Sequence, residues 1–359
     1  MSETSFKQKF YSYLNYLIGQ GGSDLHLSTG NIPFIKVDNH LEEIKNEKVV
    51  AGSDLKNLVD GFLNEDQKKR LEIKRQIDFS LTRKDGFRFR GNIFYTQGKL
   101  SLCMRAIPKD IKELKDLNLP ENLYEVANKP QGLFLVVGPN GHGKSTTLAS
   151  LVEHINVNYK KHIITIEDPI EYVYSNKKSL IEQRELHSDT PTFSGALEAC
   201  FRQDTDIVLV GEMRNVETIS TAVTAAETGQ LVLATLHTND AVQTIDRIID
   251  VFPPNQQNQI RQQLASFLIG IVSQRLVNKV GGGRIPAIEL LINNTAISNL
   301  IRSDQTQQIK SFLENSREEG MFTMEYYLSE LVKKGAVEWA EAVKFVDESE
   351  NLKALIKNS

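Results

Sequence analysis

The sequence predicts an α/β fold: a nucleotide-binding domain built on a parallel sheet, with a smaller α+β domain before it and a helical region after it. Three observations lead there. The chain has 359 residues, more than the about 250 at which one hydrophobic core stops growing, so more than one domain is expected. Four short apolar runs, Leu133 to Val137, His162 to Ile166, Ile207 to Val210 and Leu231 to Leu236, are separated by helix-length segments, the pattern of βαβ units. The first run leads into Gly138-Pro-Asn-Gly-His-Gly-Lys-Ser145, which completes G-x-x-x-x-G-K-[ST] between a strand and a helix.

Residues 5–19 carry Phe6, Phe10, Tyr13, Leu14, Leu17 and Ile18 at helical spacing, and Gly19, Gly21 and Gly22 end that helix. Asp24 to Leu27 alternates as a strand does. Pro33 to Val37 is a strand entered at a proline, and Asp38-Asn-His40 turns back into a strand from Leu41 to Ile44. Helices are expected over Ser53 to Phe62 and Glu65 to Ile73, then strands over Gln76 to Leu81, Phe87 to Tyr95 and Leu100 to Arg105. This α+β domain spans 1–107. Pro108 to Pro120 is charged and twice broken by proline, so 108–122 reads as a linker. The nucleotide-binding domain covers 123–292, and 293–359 is helical. There Met321, Met324, Tyr327, Leu328 and Leu331 mark an apolar stripe expected in a core.

A net charge of −4 gives no bulk attraction for nucleic acid, which argues against a nucleic-acid partner. Cys103 and Cys200 stand in unrelated contexts with no C-x-x-C, which argues against a disulfide framework or a zinc site and points to the cytosol. No apolar stretch approaches the roughly 20 residues that span a bilayer, and the first residues are polar where a secretory signal is apolar. Any membrane connection is expected to run through a partner.

The glycine loop gives the first chemistry. Gly138, Pro139, Asn140, Gly141, His142 and Gly143 let backbone N–H groups turn inward around phosphates, and the unpaired amides of the next helix, from Lys144 through Thr146, add positive potential. Lys144 is expected to reach the β- and γ-phosphates of ATP, and Ser145 to ligate Mg²⁺. His142 reads as loop filler, with its side chain pointing outward and its amide doing the binding.

The run Ile207 to Val210 is followed by Gly211-Glu212, which places Glu212 as general base but leaves the usual metal-facing Asp position without a carboxylate. Ile166-Glu-Asp-Pro-Ile-Glu171, at the end of the preceding strand, is the candidate support for the ion or its waters. Glu167 and Glu171 read as functional, while Asp168-Pro169 suits a turn equally well. A third strand ends in His237-Thr-Asn-Asp240, and His237 is expected beside the terminal phosphate.

Four motifs now stand in order: the P-loop, Thr165 to Glu171, Arg202 to Arg214, and Ala234 to Asn239. In that order they resemble the type II/IV secretion ATPases, and among these the retraction ATPases of type IV pili. The resemblance also covers Ser23-Asp-Leu-His-Leu27 and the tail around Gly320-Met321, and so nearly the whole chain. It implies a homo-hexamer of subunits with a PAS-like N-terminal domain and a RecA-like ATPase domain, nucleotide being held between them. It also implies ATP hydrolysis that powers pilus retraction and twitching motility through an inner-membrane platform protein (PilC-like), at a cytoplasmic, peripheral location. Under it Lys144 and Ser145 match the Walker A residues, Glu167 and Glu171 the acidic box, Glu212 the Walker B glutamate and His237 the His box.

Arginines of the N-terminal domain or of a neighbouring subunit reach the phosphates in that family. Arg88, Arg90 and Arg105 are the candidates, although Phe87-Arg-Phe-Arg90 suits an ordinary strand with one solvated face equally well. Arg202, Arg214 and Arg247 are weaker choices. One departure concerns output: the retraction family carries Ala-Ile-Arg-Asn-Leu-Ile-Arg where this chain has Ala296-Ile-Ser-Asn-Leu-Ile-Arg302, so Ser298 replaces an arginine. The tail Asn315 to Met321 is similar to that of the accessory retraction paralogue, which makes a paralogous pilus ATPase an expected partner.

Other readings remain open. Extension and type II secretion ATPases share this core, but usually with a longer N-terminal region and often a four-cysteine zinc module that two distant cysteines cannot form. A nucleotide-dependent switch would not need so many carboxylates for water activation. A nucleic-acid translocase has only Phe87, Phe89, Phe94 and Tyr95 among basic residues in its favour.

Overall fold

The computed structural model describes residues 3–37, 40–108, 110–346 and 349–357, and the side chains from residue 6 onward within these. Asp38 and Asn39 of the expected turn lie outside the described residues. Contacts divide the chain into two units, 1–110 with 171–173, and 111–170 with 174–359.

The first unit opens on α1 (Glu3–Gly19). Its sheet strands are β1 (Asp24–Ser28), β2 (Phe34–Val37), β3 (His40–Glu43), β4 (Gln76–Thr82), β5 (Arg88–Thr96) and β6 (Lys99–Ala106), with α2 (Gly52–Asp60) and α3 (Glu65–Lys74) between β3 and β4. The strands form one sheet in the order β3-β2-β1-β6-β5-β4, with every pair antiparallel. Strand alternation sends Leu25, Leu27, Ile35, Phe89, Ile93, Leu102 and Met104 into a core with Phe10, Leu14 and Leu17 of α1 and Leu55 of α2. Asp24, Arg105, Arg90 and Ser80 are register partners in one row across β1, β6, β5 and β4, so the opposite face is polar.

In the second unit the strands are β7 (Gly132–Val137), β8 (His162–Glu167), β9 (Leu180–Glu185), β10 (Ile207–Val210), β11 (Leu231–Leu236), β12 (Leu268–Asn278) and β13 (Arg284–Ile292). They lie in the order β13-β12-β7-β11-β10-β8-β9, parallel except where β13 returns antiparallel along β12. The helices are α4 (Lys144–Asn158), α5 (Phe193–Cys200), α6 (Val216–Glu227), α7 (Ala241–Asp250) and α8 (Pro254–Phe267). Both faces of the sheet are covered, which is why its central strands read as unbroken apolar runs. Leu135, Val137, Val208, Val210 and Ala234 pack with α5 to α8, and Phe134, Val136, Ile163, Leu209 and Leu233 pack with α4.

One feature differs from the sequence reading, and a second lies where that reading assigned no elements. Leu114 and Leu119, inside the expected linker, are buried with Phe134 and Leu148, because the stretch folds into short 3₁₀ turns against α4 and β7. The stretch from 268 to 292 forms the hairpin β12–β13, closed by Gly281, Gly282 and Gly283. Beyond it lie α9 (Thr295–Arg302), α10 (Ile309–Asn315), α11 (Met324–Lys333), α12 (Trp339–Ala342) and α13 (Ser349–Lys357). Met324, Leu328 and Leu331 are buried against Val277, Ile285 and Ala287 of that hairpin, as the apolar stripe predicts for a core. Cys103 and Cys200 are free thiols. No helix among the described residues is long and apolar enough to cross a membrane.

Candidate nucleotide site

The central strands β7, β11, β10 and β8 end side by side, because their registers align Val137 with Leu236, Ala234 with Val210, and Val210 with Ile166. The residues just past those ends therefore share one edge of the sheet: the P-loop, His237, Gly211-Glu212 and Glu167. Carboxyl ends of parallel strands are where ligands bind in doubly wound sheets.

The P-loop is built to receive an anion. Helix α4 starts after Gly143, whose φ is +82°, and no side chain caps its first turn. By contrast Thr192, Asn215 and Asp240 cap α5, α6 and α7. With glycine at its N-cap, the first turn of α4 directs backbone N–H groups and the positive end of the helix dipole toward the loop, where a phosphate is favoured. Asn140 and Gly141 are exposed, Pro139 is half-buried, and Lys144 is buried. The Lys144 ammonium donates to the carbonyls of Gly138 and Pro139 at 2.8 and 2.9 Å and to His237 Nδ1 at 3.3 Å.

His237 continues the line. With Nδ1 accepting from Lys144, its Nε2 carries the proton and donates to Glu212 Oε2 at 3.4 Å. Glu212 Oε1 pairs with Arg214 Nε at 2.6 Å. The order Lys144, His237, Glu212, Arg214 connects the phosphate loop to the candidate base through polar contacts alone.

Gly211 explains the missing carboxylate. Its N–H donates to the Ile166 carbonyl at 2.8 Å, and a Cβ there would lie 3.1 Å from that same oxygen. A side chain at 211 would press on the neighbouring strand end. Glu167 is the nearest carboxylate in the ladder, almost fully buried, and its Oε1 accepts from Thr165 Oγ1 at 2.6 Å and Gln183 Nε2 at 3.1 Å. Asp168-Pro169 follows with a cis peptide.

Four other sequence candidates, Glu171, Arg88, Arg90 and Arg105, belong to the first unit. Arg88, Arg90 and Arg105 are on that unit's polar sheet face, where Arg88 donates to Ser80 Oγ at 3.0 Å, Arg90 pairs with Asp78 at 3.9 Å and Arg105 pairs with Asp24 at 2.8 Å. The hydrogen bond to Asp24 raises the Arg105 pKa further.

His142 is not loop filler. Its Nδ1 accepts the Leu276 N–H at 2.9 Å and its carbonyl accepts from Gln274 Nε2 at 2.8 Å, so it ties the loop to β12. Burial, and then the charges of Arg275, Lys144 and Arg284, hold its pKa below the usual histidine value. The neutral ring that Leu276 requires is therefore favoured.

Residues 8–344 match the family described as type II/IV secretion system protein. The chain belongs to that family. It is 44% identical to the type IV pilus retraction ATPase PilT of Pseudomonas aeruginosa, covering 89% of this chain and 92% of that one. The type IV pilus ATPase PilU of the same organism is 35% identical, over 97% and 91%. A crystal structure of the pilus retraction motor PilT with bound ADP superposes with a TM-score of 0.89 at 44% identity, covering 95% of this chain and 98% of that one.

In this member of the secretion family several supporting groups escaped the sequence reading: Gln274, Ser273 and Arg275 on β12, and Glu289 on β13. Glu289 is buried and accepts the Ala241 N–H at the start of α7 at 2.9 Å. Burial pushes its carboxyl up to about 7, with the charges of Asp240 and Glu325 adding to it. The unfolded chain gives up this proton near the ordinary glutamate value of about 4.3, so folding stability should fall as pH rises from there through about 7. Glu289→Gln keeps an acceptor for Ala241 and removes the titration. It should gain roughly 3–4 kcal/mol over the wild-type chain at pH 8 and almost nothing at pH 4. Urea unfolding at the two pH values reads the difference, and parallel pH profiles for both chains would refute the assignment.

Proposed function

We propose that the chain is the ATP-hydrolysing motor of type IV pilus retraction. The observation that supports this most directly is the polar line from Lys144 through His237 to Glu212 at the strand ends, in a chain 44% identical to a pilus retraction ATPase. ATP is taken up by the amides of residues 138–146, and the Lys144 ammonium exchanges the Gly138 and Pro139 carbonyls for phosphate oxygens. That move removes the donor from His237 Nδ1, so the imidazole registers whether a phosphate is present. Glu212, fixed by His237 and Arg214, orients the attacking water and accepts its proton.

The residues fit Mg²⁺. Ser145, in the first turn of α4, would supply a hydroxyl ligand to the ion, and Glu167, held at the same sheet edge by Thr165 and Gln183, would orient one of its waters. When bound, the ion neutralises phosphate charge. Glu171 completes the acidic set, and Arg88, Arg90 and Arg105 are candidates for stabilising the phosphates from the N-terminal domain or a neighbouring subunit. The working form is a cytoplasmic homo-hexamer that engages an inner-membrane platform protein and, in the cell, a paralogous pilus ATPase.

Mg²⁺-dependent ATP hydrolysis per subunit, measured across protein concentration with mass photometry alongside, tests this reading. The rate per subunit should rise several-fold as hexamers form. A rate independent of assembly would remove the ring from the mechanism. Ser298 supports a second reading, an accessory subunit: its hydroxyl donates to the Ala265 carbonyl at 2.7 Å, so this position presents no cation to a partner. Tight ATP binding with very low turnover that rises only beside a paralogue would favour that role.

A further inference from the structure

We infer that Gln274 is a positioning residue for the phosphate loop, an inference that rests on the loop being the ATP site. Gln274 lies on β12 next to β7 and is 2% exposed. Both ends of its amide are used: Nε2 donates to the His142 carbonyl at 2.8 Å, and Oε1 accepts from Thr147 Oγ1 at 2.7 Å. His142 stands two residues before Lys144 and Thr147 three residues after it, so one amide braces the loop and the first helical turn on both sides of the lysine.

The backbone confirms how closely the loop rests on this residue. A Cβ on Gly138 would meet the Gln274 carbonyl oxygen at 2.4 Å, and one on Gly143 would meet Gln274 Nε2 at 2.9 Å. The Leu276 N–H then reaches His142 Nδ1 at 2.9 Å. On the other face of β12, Ser273 Oγ donates to the Asn239 carbonyl at 2.5 Å and Arg275 donates to the Asn239 carbonyl and Oδ1 at 3.0 Å. Asn239 is two residues past His237. Three consecutive residues of one strand therefore fix both the loop that binds phosphate and the loop that carries the sensing histidine.

Glutamine suits the place because it needs a donor and an acceptor at the end of two methylenes. Glutamate would turn a carboxylate on the His142 carbonyl, and methionine would leave that carbonyl and the Thr147 hydroxyl without this partner.

The test is Gln274→Met in the full chain, with affinity for fluorescent ADP and steady-state ATP hydrolysis as readouts. Loss of the two bonds should raise the ADP Kd and the KM for ATP together by about tenfold, with kcat per bound site changed less than about threefold. A purely structural role would lower the folded fraction, and so the apparent kcat, while leaving Kd alone. Thr147→Val removes one of the bonds from the helix side and should raise Kd by about threefold in the wild-type background but add nothing on top of Gln274→Met. A Gln274→Met chain with wild-type Kd, or a Thr147→Val effect that persists in full in the double variant, overturns the inference. A wild-type chain that binds no nucleotide overturns instead the reading on which it rests.

Discussion

Glu212→Gln should leave ATP and ADP affinity within about twofold of the wild-type chain and lower turnover by about 10²–10³, the scale of losing a positioned general base. The substitution is sterically neutral and costs little in folding. The Arg214 partner is 71% exposed, and pairs of that kind contribute at most about 1 kcal/mol. Gln Oε1 still accepts from His237 Nε2, so the contacts from Lys144 to His237 persist. What is lost is the candidate base, the carboxylate proposed to take the proton from water. A barrier increase of roughly 3–4 kcal/mol follows. Single-turnover phosphate release on nucleotide-loaded protein separates this from a slow product step. Robust release by the variant would take Glu212 out of the base role.

The candidate site was partly legible in the sequence because its candidate acting groups stand at, or within one loop of, the ends of apolar strands. A run such as Ile207 to Val210 is buried on both faces and ends where the chain leaves the sheet, so Glu212 is placed by the strand rather than by its own neighbours. The same logic places Lys144, His237 and Glu167. The supporting groups carry no such signal. Gln274 sits inside β12, and its partners His142 and Thr147 are more than a hundred residues away in the chain. The β12–β13 hairpin itself was missed, since Gln274, Arg275 and Glu289 interrupt its apolar pattern to reach the two site loops. His142 was misread for a related reason: its ring is held by a backbone N–H of that unrecognised strand. In the first unit, by contrast, alternation in Phe87-Arg-Phe-Arg90 gave the strand and its polar face but left the function of its arginines undecided.

The glycines of the P-loop should differ sharply in what they tolerate, although all three share the left-handed half of backbone space. Gly138 has φ of +143° and lies directly on β12, where an added Cβ would come 2.4 Å from the Gln274 carbonyl oxygen. That oxygen belongs to a backbone paired with β13 at Ile288 and one residue past the last pair with β7, so it has little room to move away. Gly138→Ala should therefore cost both backbone strain and overpacking, about 3–5 kcal/mol together. Because residue 138 also offers a carbonyl to Lys144, nucleotide affinity should fall by about a hundredfold or more in whatever fraction stays folded. Gly141, at φ of +76°, has nothing within 4 Å of the same added atom. Gly141→Ala should then cost only the left-handed penalty of roughly 1–2 kcal/mol and keep most of the affinity. Thermal unfolding and ADP binding on the two variants measure the contrast. Equal losses at 138 and 141 would mean that backbone conformation alone, and not contact with β12, shapes the loop.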